Sequence, residues 1–103
     1  MKKENIEDTI NILMGHYFKR KRYECGLTGK EMGELLCVSQ QHISRYERGE
    51  TAIPLSSMVF FLDSHAFSLS DFFNYLLAGM KGNYSPETLD NYQYIKTQTA
   101  LYT

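Results

Sequence analysis

Four side chains within six positions, Gln40, Gln41, Ser44 and Arg45, carry the donor and acceptor sets that recognise base edges. A glutamine amide donates and accepts at once and matches adenine N6 and N7. An arginine fork donates twice and matches guanine O6 and N7. On a short helix these four face outward, while Ile43 and Tyr46 turn to the buried side. A side that met only water would favour Glu, Lys and Ala. The chemistry implied is hydrogen-bonded reading of a duplex by the amino-terminal part of a helix seated in the major groove.

Other reactive residues form no site. His16, His42 and His65 do not cluster with Cys25 and Cys37 at metal-ligand spacing, so no metal is expected. His42 is expected to meet backbone or solvent. The two cysteines read as reduced thiols in or near the core. No nucleophile–base pair and no phosphate-cradling glycine loop stand out, so neither an enzyme nor a cofactor is expected. Asn83-Tyr84-Ser85 is formally a glycosylation sequon, without consequence in a cytosolic chain.

The reading helix needs neighbours to hold it. Ile6, Ile10, Leu13, Met14, Tyr17 and Phe18 recur at helical spacing and predict a long first helix over 5–24, stopped by Gly26. Thr28-Gly29-Lys30-Glu31 has the form of a capping box and opens a second helix over 29–36. Gly33 lies on the side of that helix facing the third, where a side chain would hold the two apart. After a tight turn at Cys37-Val38, Ser39 caps a third helix over 40–47, ended by Gly49. Val38 and Ile43 are expected to plug the space between the pair. Ser56 or Ser57 is the expected cap of a fourth helix carrying Met58, Val59, Phe61 and Leu62. Leu69-Ser70-Asp71 opens a fifth with Phe72, Phe73, Leu76 and Leu77, which Gly79 and Gly82 then break. Ser85-Pro86-Glu87 has the form of a further helix start. A short helix pair of this kind suits a helix-turn-helix, and equally an ordinary hairpin in a bundle; the residues of the third helix favour the first.

At 103 residues the chain suits one domain with a modest core. No leader with an apolar stretch and no run of membrane-spanning length is seen, so a cytoplasmic location is expected. The net charge of −1 is unusual for a binder of polyanions, but it is unevenly spread. Residues 19–48 hold seven basic side chains (Lys19, Arg20, Lys21, Arg22, Lys30, Arg45, Arg48) against four acidic ones, and the remainder is net negative. A positive face with an acidic back orients a molecule near DNA.

Leu27-Thr28, Glu31-Met32-Gly33, Val38-Ser39-Gln40 and Ile43-Ser44-Arg45-Tyr46-Glu47-Arg48-Gly49, followed by Pro54 and Phe67-Ser68-Leu69-Ser70-Asp71-Phe72-Phe73, resemble the Cro/C1-type (XRE) helix-turn-helix regulators over about residues 14–77. The resemblance implies an all-α, five-helix, lambda-repressor-like DNA-binding domain over 1–82. To this the chain adds an extended first helix and a C-terminal helical extension over 83–103. It further implies a homodimer on a two-fold site in double-stranded DNA, and a transcriptional role, repression first. Carried over by position, Gln40, Gln41 and Arg45 fall on base-reading places, with Ser44 beside them. Thr28, Lys30, Ser39, Tyr46 and Arg48 fall near phosphate. Arg22 and Glu47 fall where a salt bridge often joins helices one and three.

Two departures reduce the expected phosphate contacts. Gly29 stands where the family often has glutamine, and the loop with Ala52, Ile53 and Leu55 is not basic. The tract 39–49 also resembles the small MrpJ-like regulators encoded beside fimbrial operons in enteric bacteria, which implies control of fimbriae and motility. The segment with Leu89, Tyr92 and Ile95 is open to three readings: packing on the domain, pairing with its twin, or docking on RNA polymerase or another regulator. The competing function is an antitoxin or adaptor that uses the fold mainly for protein–protein interaction.

Overall fold

A computed structural model describes residues 3–81, and among them all regular structure is helical. Five helices follow in order: α1 (Lys3–Glu24), α2 (Gly29–Leu36), α3 (Gln40–Glu47), α4 (Leu55–Ser64) and α5 (Leu69–Lys81). This is the all-α, five-helix arrangement expected of a lambda-repressor-like domain. The helix start at Ser85 and the 83–103 extension lie outside the described residues.

α1 is the spine, and two adjacent rings on it split the core between its neighbours. Tyr17 turns toward α5, with ring centroids 5.3 Å from Phe72 and 5.0 Å from Tyr75. Phe18 turns the other way and meets Phe61 of α4 at 5.5 Å and Tyr46 of α3 at 6.2 Å, both edge to face. Met32, Ile43, Met58 and Leu62 close the remaining space and are buried. A ring or branched chain buried in this way contributes about 1.5–3 kcal/mol. The long apolar period of α1 thus decides where both halves of the domain pack.

Sequence signals placed the first three helices well, and the later ones less so. α4 begins at Leu55 with Pro54 at its cap and no side-chain cap bond, not at a serine cap. Proline's restricted φ starts the turn, and the Pro54 carbonyl accepts from Ser57 and Met58 N–H at 3.0 and 3.1 Å. Gly79 does not break α5. It is a buried residue within it, and a Cβ there would stand 2.6 Å from Leu13 Cδ2, so glycine lets α5 lie close on α1. Of the apolar residues expected on α5, Phe72 is buried but Phe73 and Leu77 are exposed; Tyr75 takes the inward place. Cys37 is exposed rather than near the core, and Cys25 is half-buried. Among the described residues no helix is long and apolar enough to cross a membrane.

Candidate nucleic-acid interface

The two short helices are set against each other by local bonds legible in the sequence. The Thr28 hydroxyl accepts from Glu31 N–H at 3.0 Å, and the Glu31 carboxylate accepts from Thr28 N–H at 2.9 Å, so both halves of the capping box form. The bond from Thr28 N–H, and after it the Thr28 side chain, holds the Glu31 carboxyl below its usual range. α2 ends at Cys37 in the left-handed region (φ 60), where Val38 N–H donates to Gly33 O at 2.9 Å. Gly33 is the partner of that turn: a Cβ there would meet Val38 O at 2.6 Å. Ser39 then caps α3, its hydroxyl accepting from His42 N–H at 3.0 Å.

α3 is fixed from behind by α1. Gly15 brings the two backbones together, since a Cβ at that position would stand 2.3 Å from Tyr46 O and 3.0 Å from Glu47 O. Two turns further along α1, Arg22 reaches Glu47 with two parallel bonds, Nε to Oε2 at 2.7 Å and Nη2 to Oε1 at 3.0 Å. Its Nη1 donates to Leu27 O at 2.9 Å and ties the α1–α2 loop to the same point. Both side chains are largely buried, 10% and 8% exposed. The bonds to Glu47 outweigh burial and hold the guanidinium above its ordinary value. At the end of α3, Gly49 in the left-handed region (φ 73) packs its Cα side on Ile12.

The outer side of α3 is left to solvent. Gln40, Gln41 and Arg45 are exposed and Ser44 is half-buried. Gln40 lies along the start of α2, where a Cβ on Gly29 would be 3.5 Å from Gln40 Cγ. Gln40 therefore joins the two helices' amino-terminal ends, and Thr28 and Lys30, which flank Gly29 in the chain, are exposed. Tyr46, expected on the buried side and near phosphate, turns its ring inward. Its ring is 4% exposed, edge-on to Phe18 and, at 4.6 Å, to His42, and this packing leaves it to the core. Ile53 is likewise buried, so the loop before α4 is apolar at that point because it anchors the chain.

Residues 18–62 match the helix-turn-helix family model. The match runs from late α1 through α4 and is shorter than the sequence resemblance. It supports a helix-turn-helix of the Cro/C1 type, and with it a DNA-binding transcription regulator that engages double-stranded DNA. No curated protein and no solved structure matches the chain.

Within this helix-turn-helix, α2 lies across the amino-terminal end of α3, and α3 offers its polar side outward. Among the described residues no group of three or more His, Cys, Asp or Glu could hold a metal ion. Sequence reasoning overlooked Gly15 and Glu50. Gly15 carries no local signal, because its role is a contact across the fold. Glu50 pairs with Arg48 across a left-handed glycine, a spacing that no helical period describes.

Proposed function

We propose that this chain is a dimeric, sequence-specific transcription regulator that represses by occupying promoter DNA in the cytoplasm. Gln40, Gln41, Ser44 and Arg45 read base edges in the major groove. Thr28 and Lys30 at the start of α2 and Ser39 at the start of α3 lie along the phosphate rim, and Arg48 stands beside it, bonded to Glu50. The observation that carries this reading is the contrast between the two sides of α3. Its inner side is clamped by Gly15 and the Arg22–Glu47 pair, and its outer side bears exposed glutamine and arginine. A rigid support with polar tips is what base discrimination needs, since a loosely held helix would lose hydrogen-bond geometry. Phe73 and Leu77, exposed one turn apart on α5, support self-association. In a dimer the two reading helices enter successive grooves about 34 Å apart. The likeness of residues 39–49 to regulators of fimbrial operons makes adhesion and motility promoters the first targets.

Selection of binding sites from randomised duplexes tests the reading. A two-fold motif with half-sites about one helical turn apart is expected, and Arg45→Ala should relax its base preference at one position of each half-site. A flat selection, together with a stable protein partner recovered without DNA, would transfer support to the antitoxin or adaptor reading.

A further inference from the structure

Arg48, at the end of α3, is held from two sides. Its Nε and Nη2 donate to the two oxygens of Glu50, at 3.1 and 3.0 Å, and its Nη1 donates to the Ser44 hydroxyl. A guanidinium offers five N–H donors, and this arrangement engages all three of its nitrogens. The backbone sets Glu50 in place: Gly49 turns the chain in the left-handed region, and Glu50 N–H donates to Arg45 O at 3.0 Å. The bonds from Arg48, and more weakly the charge of Arg45, hold the Glu50 carboxyl below the ordinary carboxylate range. An acidic side chain thus stands at the tip of a helix that would otherwise offer two free cations to a polyanion.

We propose that Glu50 limits the affinity of the DNA interface: it keeps Arg48 bonded to itself and to Ser44 and so withholds one cation from the phosphate backbone. This rests on the DNA-reading role of α3. Phosphate contacts raise affinity for every sequence alike, whereas base contacts distinguish one from another. Withholding a phosphate contact lowers affinity for all DNA alike and leaves the choice among sequences to Gln41 and Arg45. Ser44 gains a polarity as well. Its oxygen accepts from Arg48, so its proton is left to give, and a base-edge acceptor such as purine N7 or thymine O4 is its complement.

Fluorescence anisotropy with a mixed-sequence duplex, titrated across a range of potassium chloride, tests this with the full chain. Glu50→Gln should tighten binding several-fold and steepen the log–log salt slope by about 0.9, the value for one added phosphate contact. The same substitution in an Arg48→Ala background should leave the slope where it was. Glu50→Ala should repeat the Gln result, and melting temperatures should stay level because an exposed pair contributes little. An unchanged slope for Glu50→Gln overturns the proposal. So does a gain that persists in full without Arg48, which would make Glu50 a plain repulsive charge. Wild-type chain that binds no duplex at low salt removes the DNA-reading role itself. Binding with an unaltered Glu50→Gln slope removes the Glu50 role alone.

Discussion

Two arginine–glutamate pairs meet at the carboxyl end of α3, and they differ chiefly in how far water reaches them. Arg22–Glu47 joins α1 to α3 with its side chains 10% and 8% exposed. Arg48–Glu50 joins residues two apart, with 56% and 54% exposed. Both are bidentate. In the first, each charge has left water and depends on its partner, so breaking the pair strands a charge in the core. In the second, water can replace either partner, so the pair adds little to folding stability and acts instead on the charge offered at the helix tip. Equal chemistry thus gives a fixed strut behind the helix and a solvent-exposed charge pair at its tip.

The largest effect is expected at the strut. Arg22→Ala should lower unfolding free energy by about 3 kcal/mol, the lower part of the buried-pair range, because the site keeps slight access to water. Chemical denaturation measures it; a loss no greater than that of Arg48→Ala would erase the distinction between the pairs. Replacing both partners by apolar residues, Arg22→Met with Glu47→Leu, should recover much of the loss. Gly15→Ala should cost about 2 kcal/mol. Alanine is worth about 1 kcal/mol over glycine in a helix, but the new methyl meets two backbone carbonyls that cannot turn aside. A stable Gly15→Ala protein would show that α1 and α3 need not approach so closely.

Weaker effects are expected on the outer side of α3. Arg45→Ala should leave folding intact and cost about 1–3 kcal/mol on a selected site, read by gel-shift titration, with base preference relaxed at one position. Thr28→Ala removes half of the capping box and should lower stability by about 1 kcal/mol in a thermal melt. Smallest of all, Glu50→Gln should leave the melt unmoved. A marked drop in melting temperature would mean that the exposed pair is as structural as the buried one.

The short elements around the interface were legible because their signals are local. A threonine three residues before a glutamate, a serine before two glutamines and a glycine after an arginine each act within one turn of backbone, and α2 and α3 begin and end where these predict. α4 was less legible because proline without a side-chain cap began it, a weaker signal than the nearby serines. Gly79 misled because a glycine that breaks a helix and one that admits a neighbour are the same letter. Tyr46 carried two expectations, an inward ring and a place near phosphate, and burial bears out the first.

The sequence alone determined the helix boundaries near the interface and the outward polar set Gln40, Gln41, Ser44 and Arg45, because capping and periodicity depend on residues a few positions apart. Only the tertiary structure decided that α1 meets α3 closely at Gly15, that water hardly reaches the Arg22–Glu47 pair expected there, and that Glu50 occupies Arg48. Those outcomes depend on which distant surfaces approach each other, and on how much water remains between them.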